Sequence, residues 1–164
     1  MKYYIIIRGP LGCGKSTISE KLAKKLNAKH IVYDRILDKY NLTGDKEEGM
    51  ISRKSFLKAN KIAVIEAKKI LDRDKPVIFD GNFYWREQIN NLIKNLKYKY
   101  YVFTLKADLK VCIGRDSKRS KVYGKYAAEA VYNAVAKFEY GMIIDNNSKT
   151  VNEVVREIIS YLNV

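Results

Sequence analysis

The sequence predicts an α/β fold, a five-stranded parallel sheet with helices on both faces. Five short apolar runs alternate with stretches of helical periodicity, the pattern of a sheet buried on both sides. Each run stops at polar residues, and in such sheets ligands bind at the carboxyl ends of the strands. A glycine-rich loop joins the first run to the first helical stretch, where backbone N–H groups and a helix dipole favour an anion.

The first strand spans residues 3 to 8, and the helix after the loop runs to about Leu26, with Ile18, Leu22, Ala23 and Leu26 on one face. Lys29 to Tyr33 reads as a second strand ending at Asp34, followed by a short helix from Arg35 to Tyr40 and a loop from Asn41 to Met50. The spacing of Phe56, Ala59, Ala63, Ala67, Ile70 and Leu71 marks a long amphipathic helix from Ser52 to Leu71. Pro76 to Gly81 is a third strand, opened by proline and closed by Asp-Gly. Trp85 to Leu96 is helical, Lys99 to Leu105 a fourth strand, and Leu109 to Asp116 a helix running into the basic segment Ser117 to Lys125. Tyr126 to Tyr140 is helical and Met142 to Asp145 is the fifth strand. Thr150 and Glu153 form a capping box for a last helix with an apolar face of valines and isoleucines.

Length and composition narrow the class. A chain of 164 residues, 47% apolar and 30% charged, fits one globular domain, 1–164, with a lid at about 115–125. No apolar run approaches a membrane span, and a strand beginning at residue 3 leaves no room for a signal peptide. Two cysteines, Cys13 and Cys112, are too few for a disulfide framework, so a cytoplasmic setting is expected. One histidine and two separated cysteines give no zinc-type cluster.

Gly9-Pro10-Leu11-Gly12-Cys13-Gly14-Lys15-Ser16-Thr17 reads as G-x-x-x-x-G-K-[ST], a phosphate-binding loop. Its glycines let the backbone approach an anion closely. Lys15 is a mobile cation for the β- and γ-phosphates, Ser16 offers a hydroxyl to Mg²⁺, and Cys13 is a small filler. Asp34, at the end of the second strand, can accept the proton of an attacking hydroxyl or cap the next helix, and Arg35 beside it can hold a polar acceptor. Asp80 closes Val77-Ile78-Phe79 in the form of a carboxylate that holds Mg²⁺, or forms an Asp-Gly turn, and Asn82 can contact the acceptor. Arg115 and Arg119, spaced i, i+4, share a helix face and suit a cationic lid or a solvated helix end. His30 reads as structural.

The net charge is +14, and between Lys94 and Lys125 ten basic residues face two acidic ones. With 13 tyrosines in the chain this leaves a nucleic-acid acceptor open, although lysines are spread over the other helices as ordinary surface too. The guanine-reading N-K-x-D and the D-x-x-G of a GTPase switch are both absent, which weighs against a non-catalytic nucleotide switch.

The phosphate loop, Asp34-Arg35, Val77 to Asn82, the two arginines and Ile144-Asp145-Asn146-Asn147 before a capped helix together resemble the small P-loop kinases of the nucleoside-monophosphate-kinase-like group. Within that group the sequence is similar to the AAA-type kinases, which include relatives of the polynucleotide 5′-hydroxyl kinase domain and of chloramphenicol phosphotransferase. The resemblance covers nearly the whole chain and implies a three-layer P-loop NTPase fold of strand order 2-3-1-4-5. It also implies ATP with Mg²⁺ and transfer to a hydroxyl of a small-molecule or nucleoside-like acceptor, with a polynucleotide or tRNA as the alternative. By that resemblance Asp34 is the acceptor-side base, Arg115 lies near the adenine and phosphates, and Arg119 lies on the phosphates. The stretch from Asn41 to Phe56 matches no motif.

Overall fold

The computed structural model describes residues 1–163. The run Tyr3–Arg8 forms β1, buried along its whole length. Helix α1 (Lys15–Leu26) follows the loop, and β2 (Lys29–Val32) and α2 (Tyr33–Lys39) come next without a break. A two-stranded hairpin, β3 (Lys46–Glu47) and β4 (Met50–Ile51), leads into the long α3 (Arg53–Leu71). Then come β5 (Val77–Asp80), α4 (Arg86–Asn95), β6 (Lys99–Lys106), α5 (Leu109–Asp116), α6 (Lys125–Ala136), β7 (Met142–Asp145) and α7 (Val151–Ser160). Among the described residues no helix is long and apolar enough to cross a membrane.

The main sheet is parallel throughout and ordered β2-β5-β1-β6-β7. Counted over its own five strands, this is the order 2-3-1-4-5. Asp80 stands opposite both Ile7 and Val32, Arg8 opposite Thr104, and Lys106 opposite Asp145. That register brings the strand ends level along one edge, where the connecting segments build the site. β1 faces two cores. Tyr4 and Ile6 pack with α2, α3, α4 and α6, whereas Ile5 and Ile7 pack with α1, α5 and α7. Each fully buried isoleucine contributes roughly 1.5–3 kcal/mol, so β1 is the natural spine of the molecule.

The expected elements form with three informative differences. β2 ends at Val32, and Asp34 lies in the first turn of α2, with Val32 rather than an aspartate at the capping position. The expected loop after Asn41 contains the hairpin, whose Glu48-Gly49 turn has φ values of 53° and 77°. That is the primed-turn conformation that matches strand twist. Helix α6 stops at Ala136 instead of Tyr140. The capping box of α7 forms as read: Glu153 N–H donates to Thr150 Oγ1 at 3.2 Å, and Thr150 N–H donates to Glu153 Oε2 at 2.6 Å.

Several of the tyrosines prove to be packing residues. Tyr100 stacks on Tyr4, Tyr101 meets Tyr3 edge-on, and Tyr98 and Tyr140 donate to Asp72 and Asn90. Tyr123 and Tyr126 remain exposed.

Arg8, at the end of β1, explains why α6 ends where it does. Its guanidinium is wholly buried and donates to Phe83 O, Thr104 Oγ1, Phe138 O and Val135 O at 3.0–3.3 Å. Two of these acceptors are carbonyls at the carboxyl end of α6, where the helix dipole favours a cation. Burial, with Arg86 adding repulsion, pulls its pKa down to about 10. Arg8→Met removes the donor and strands buried acceptors, so it is expected to cost about 3 kcal/mol of stability. The check is the urea midpoint, which should fall with the slope unchanged.

Candidate active site

The site grows from the loop between β1 and α1. Gly12 and Gly14 have φ values of 80° and 91°. A Cβ on Gly12 would lie 2.2 Å from the carbonyl oxygen of Cys112, so the loop backbone can pass α5 only as glycine. Helix α1 opens at Gly14 with no side-chain cap and no acidic residue in its first turn. Its leading N–H groups are therefore free for an anion at the positive end of the dipole. Lys15 is 9% exposed, and its ammonium donates to Pro10 O at 3.0 Å. Gly9 packs against Leu105, and the Cys13 thiol is buried and pushed up in pKa by that burial, and neither residue lines the cavity.

A cavity of about 330 Å³ lies over the loop. It is lined by Gly12, Gly14, Lys15, Ser16 and Thr17 from below. Asp34, Asp80 and Asn82 close one side, and Arg115, Arg119 and Lys149 the other. Four cations line it with two carboxylates, and although Lys149 is paired with Glu157 at 2.6 Å, positive charge stays in excess, the balance for a polyanion such as a triphosphate. Of the residues read from the sequence as acceptor-side, Arg35 alone is not brought in: it is exposed and points to neither this cavity nor its neighbour.

Three further side chains shape the site, of which only Asn146, at the end of the fifth strand, carries a signal in the sequence. His30 Nε2 lies 3.2 Å from Asp80 Oδ2, steering a carboxylate that is only 2% exposed. Asn146, nearly buried, donates from Nδ2 to Cys13 O across 133 residues of sequence. The Asp116 carboxylate, 1% exposed, accepts from Tyr123 N–H at 3.1 Å and Gly124 N–H at 2.9 Å. It thereby shapes the turn between α5 and α6 that carries Arg119.

The two arginines do not share a helix face as expected, because α5 ends at Asp116 and Arg119 lies in the turn beyond it, and they divide the work. Arg115 donates to Cys13 O, Asn146 O and Asn147 O at 2.8–3.4 Å, so it braces the phosphate loop from the side. Arg119 is exposed at the cavity wall, 4.0 Å from Asp116 and 5.6 Å from the centre of the Tyr123 ring. Among the described residues nothing else holds its side chain, which leaves it free to move within the cavity wall. Arg119→Ala is expected to lower turnover by about a hundredfold with nucleotide affinity changed only a few-fold. Steady-state kinetics beside a nucleotide titration check this, and an unchanged turnover number would make Arg119 mere surface charge.

Asp34 is open to the cavity yet walled by protein. Loss of hydration pushes its carboxyl above the usual range, Asp80 adds repulsion, and Lys15 and Arg119 oppose the shift. The oxygen donors at hand for a divalent ion are the exposed Ser16 hydroxyl and Asp80, one of whose oxygens is engaged by His30. A hydroxyl plus one carboxylate fits Mg²⁺, which takes few protein ligands and completes its shell with phosphate and water. A larger groove of about 410 Å³ lies between α6 and the ends of β6 and β7. It sets three carboxylates, Asp108, Glu139 and Asp145, against Lys106, the wrong sign for a polyphosphate.

Parallel strands in this order, with a phosphate loop after the first, define a P-loop NTPase fold. The chain belongs to an AAA domain family, whose profile matches residues 5–140. No curated protein matches it in sequence. Among solved structures it is similar to an unliganded sugar kinase from Janibacter sp. HTCC2649, with a TM-score of 0.83 at 14% identity over 100% of this chain and 96% of that one. It is similar to a gluconokinase from Sinorhizobium meliloti 1021, with a TM-score of 0.73 at 16% identity over 97% and 90% of the two chains. It is also similar to the Mycobacterium tuberculosis APS kinase solved with AMPPNP and APS, with a TM-score of 0.74 at 16% identity over 96% and 95%. The shared fold is that of small P-loop kinases.

Proposed function

We propose that the chain is a single-domain, ATP- and Mg²⁺-dependent phosphotransferase that moves the γ-phosphate to a hydroxyl of a small-molecule or nucleoside-like acceptor. The observation that carries this reading is one cavity in which the loop amides, Lys15, Arg119 and the carboxylates of Asp34 and Asp80 converge. The fold neighbours support it, since the sugar kinase, gluconokinase and APS kinase named above are all phosphotransferases by name.

The residues divide as follows. The loop N–H groups and α1 bind the phosphates, and Lys15 leaves Pro10 O to meet the β- and γ-oxygens. Ser16 and Asp80, the latter steered by His30, would hold Mg²⁺, which when bound would neutralise phosphate charge. Asp34 accepts the proton of the acceptor hydroxyl. The acceptor oxygen then forms its bond to the γ-phosphorus, the bond to the β–γ bridging oxygen breaks, and ADP leaves with that electron pair. Arg119 neutralises charge spread over the phosphoryl oxygens as they flatten.

The experiment is product analysis by mass spectrometry after incubation with γ-labelled ATP, Mg²⁺ and a metabolite extract, for the wild type and Lys15→Ala. Label appearing on a hydroxyl only with the wild type is the expected result. Acceptor phosphorylation that survives in Lys15→Ala would sink the assignment.

A further inference from the structure

A second cavity, of about 300 Å³, adjoins the one over the phosphate loop. The two share Leu11, Asp34 and Asn82. Asp34 thus stands on the common wall, so a hydroxyl reaching it from the second cavity also faces the phosphates in the first. We propose that the second cavity seats the acceptor, and that this acceptor is an uncharged, ring-bearing alcohol of about nucleoside size. The proposal rests on the phosphotransferase reading and adds the substrate class to it.

Charge is the first argument. The phosphate-loop cavity sets four cations against two carboxylates. The second cavity is balanced, with Asp34 and Asp38 against Lys46 and Lys121. No guanidinium lines it, and Arg35, one residue from Asp34, points elsewhere. Planar, bidentate recognition of a phosphate or carboxylate group favours arginine. A charged acceptor would therefore meet only two lysines, each offset by a carboxylate, and no bidentate partner for the hydration it loses.

The walls are the second argument. Leu37, Met50, Ile51, Tyr84, Tyr123 and Val131 supply apolar and aromatic surface from four separate segments. Aromatic walls favour a ring over an open polyol, because a ring presents flat apolar faces. Thr43 and Asn82 are the polar groups available to orient its edge.

The roof is the third argument, and it sets the size. The β3–β4 hairpin is fixed at both ends. At its base Trp85 Nε1–H donates to Ile51 O at 2.8 Å, and Arg53 pairs with Glu47 and lies 5.0 Å over the Trp85 ring. At its tip Glu48 pairs with Lys137, just beyond α6, at 3.0 Å. A braced compartment of about 300 Å³, at the small end of the range for ligand sites, has room for one nucleoside-sized molecule, not for a chain of them.

The test is a transfer assay with ATP and five acceptors: adenosine, thymidine, gluconate, adenosine 3′-monophosphate and a 5′-hydroxyl oligonucleotide. The two nucleosides are expected to exceed each of the other three in kcat/KM by about tenfold or more. Val131→Arg, which puts a cation on the wall, should raise the nucleoside KM about tenfold while moving the KM for ATP by less than about twofold. If that variant fails to fold, Met50→Arg on the hairpin asks the same question. Preference for gluconate, the 3′-phosphate or the oligonucleotide overturns the acceptor class and leaves the phosphotransferase reading standing. So does ATP binding without transfer to either nucleoside. Failure to bind ATP at all overturns both.

Discussion

Lys15→Ala is expected to lower phosphate transfer by about three orders of magnitude and to weaken triphosphate binding, with little change in the thermal midpoint. The physical basis is how this ammonium is held. It is nearly buried and donates to a neutral carbonyl, Pro10 O, at 3.0 Å. A cation without a carboxylate partner there keeps its full attraction for phosphate oxygens. The loop itself does not depend on that side chain. Gly12 and Gly14 set its dihedrals, and Arg115 and Asn146 grip Cys13 O from outside. Loss of Lys15 should therefore remove function without removing the fold, and circular dichroism melts beside the transfer assay separate the two. Lys15→Arg is expected to fail as well, because a forked guanidinium cannot replace a compact point charge in a close loop. Transfer at the wild-type rate in either variant would put the phosphates somewhere other than this loop.

Much of the site was legible because its signals are local. Gly12, Gly14, Lys15 and Ser16 lie within one loop, and Asp80 closes an apolar run at a strand end. Thr150 and Glu153 are three residues apart and meet as their spacing demands. The sheet order followed once the loop identified the fold. What stayed hidden depends on distant pairing or unusual turns. His30 becomes a partner of Asp80 only because β2 pairs with β5 in register. Asn146 stood out at a strand end, but its partner, Cys13 O, lies at the other end of the chain and gave no local sign. The hairpin escaped because Glu48 occupies a positive-φ position that Asn or Asp usually fills. Asp116 looked like one more charge in a basic segment. Its role emerges only when the chain folds back and presents two N–H groups to it.

On the proposed reading, activity and stability are set against each other at one residue, Asp34. The Asp34 carboxyl is pushed above its ordinary range by loss of hydration, with Asp80 adding to the shift. The folded chain therefore binds this proton more tightly than the unfolded chain. Between the unfolded and folded values the folded state carries more protons, so stability contributed by Asp34 declines as pH rises through that window. At neutral pH the ionised carboxylate, which water still reaches, is a small cost to the fold and, in the proposed mechanism, the base. Asp34→Asn removes the cost and the base together. It is expected to lower turnover by about 10²–10⁴-fold, the range for loss of a general base, with ATP affinity nearly unchanged. Its melting midpoint at neutral pH should equal or exceed that of the wild type. In the wild type, transfer should fall on the acid side as Asp34 takes up its proton, with the limb above the ordinary aspartate range. Lys15 and Arg119 oppose the upward shift. Removing Arg119 should therefore move the acid limb of the residual activity to higher pH, a displacement that loss of transition-state charge alone would not cause. A pH–rate profile of wild type, Arg119→Ala and Asp34→Asn checks all three statements. An Asp34→Asn variant that keeps wild-type turnover, or an acid limb that ignores Arg119, would move the base to another residue.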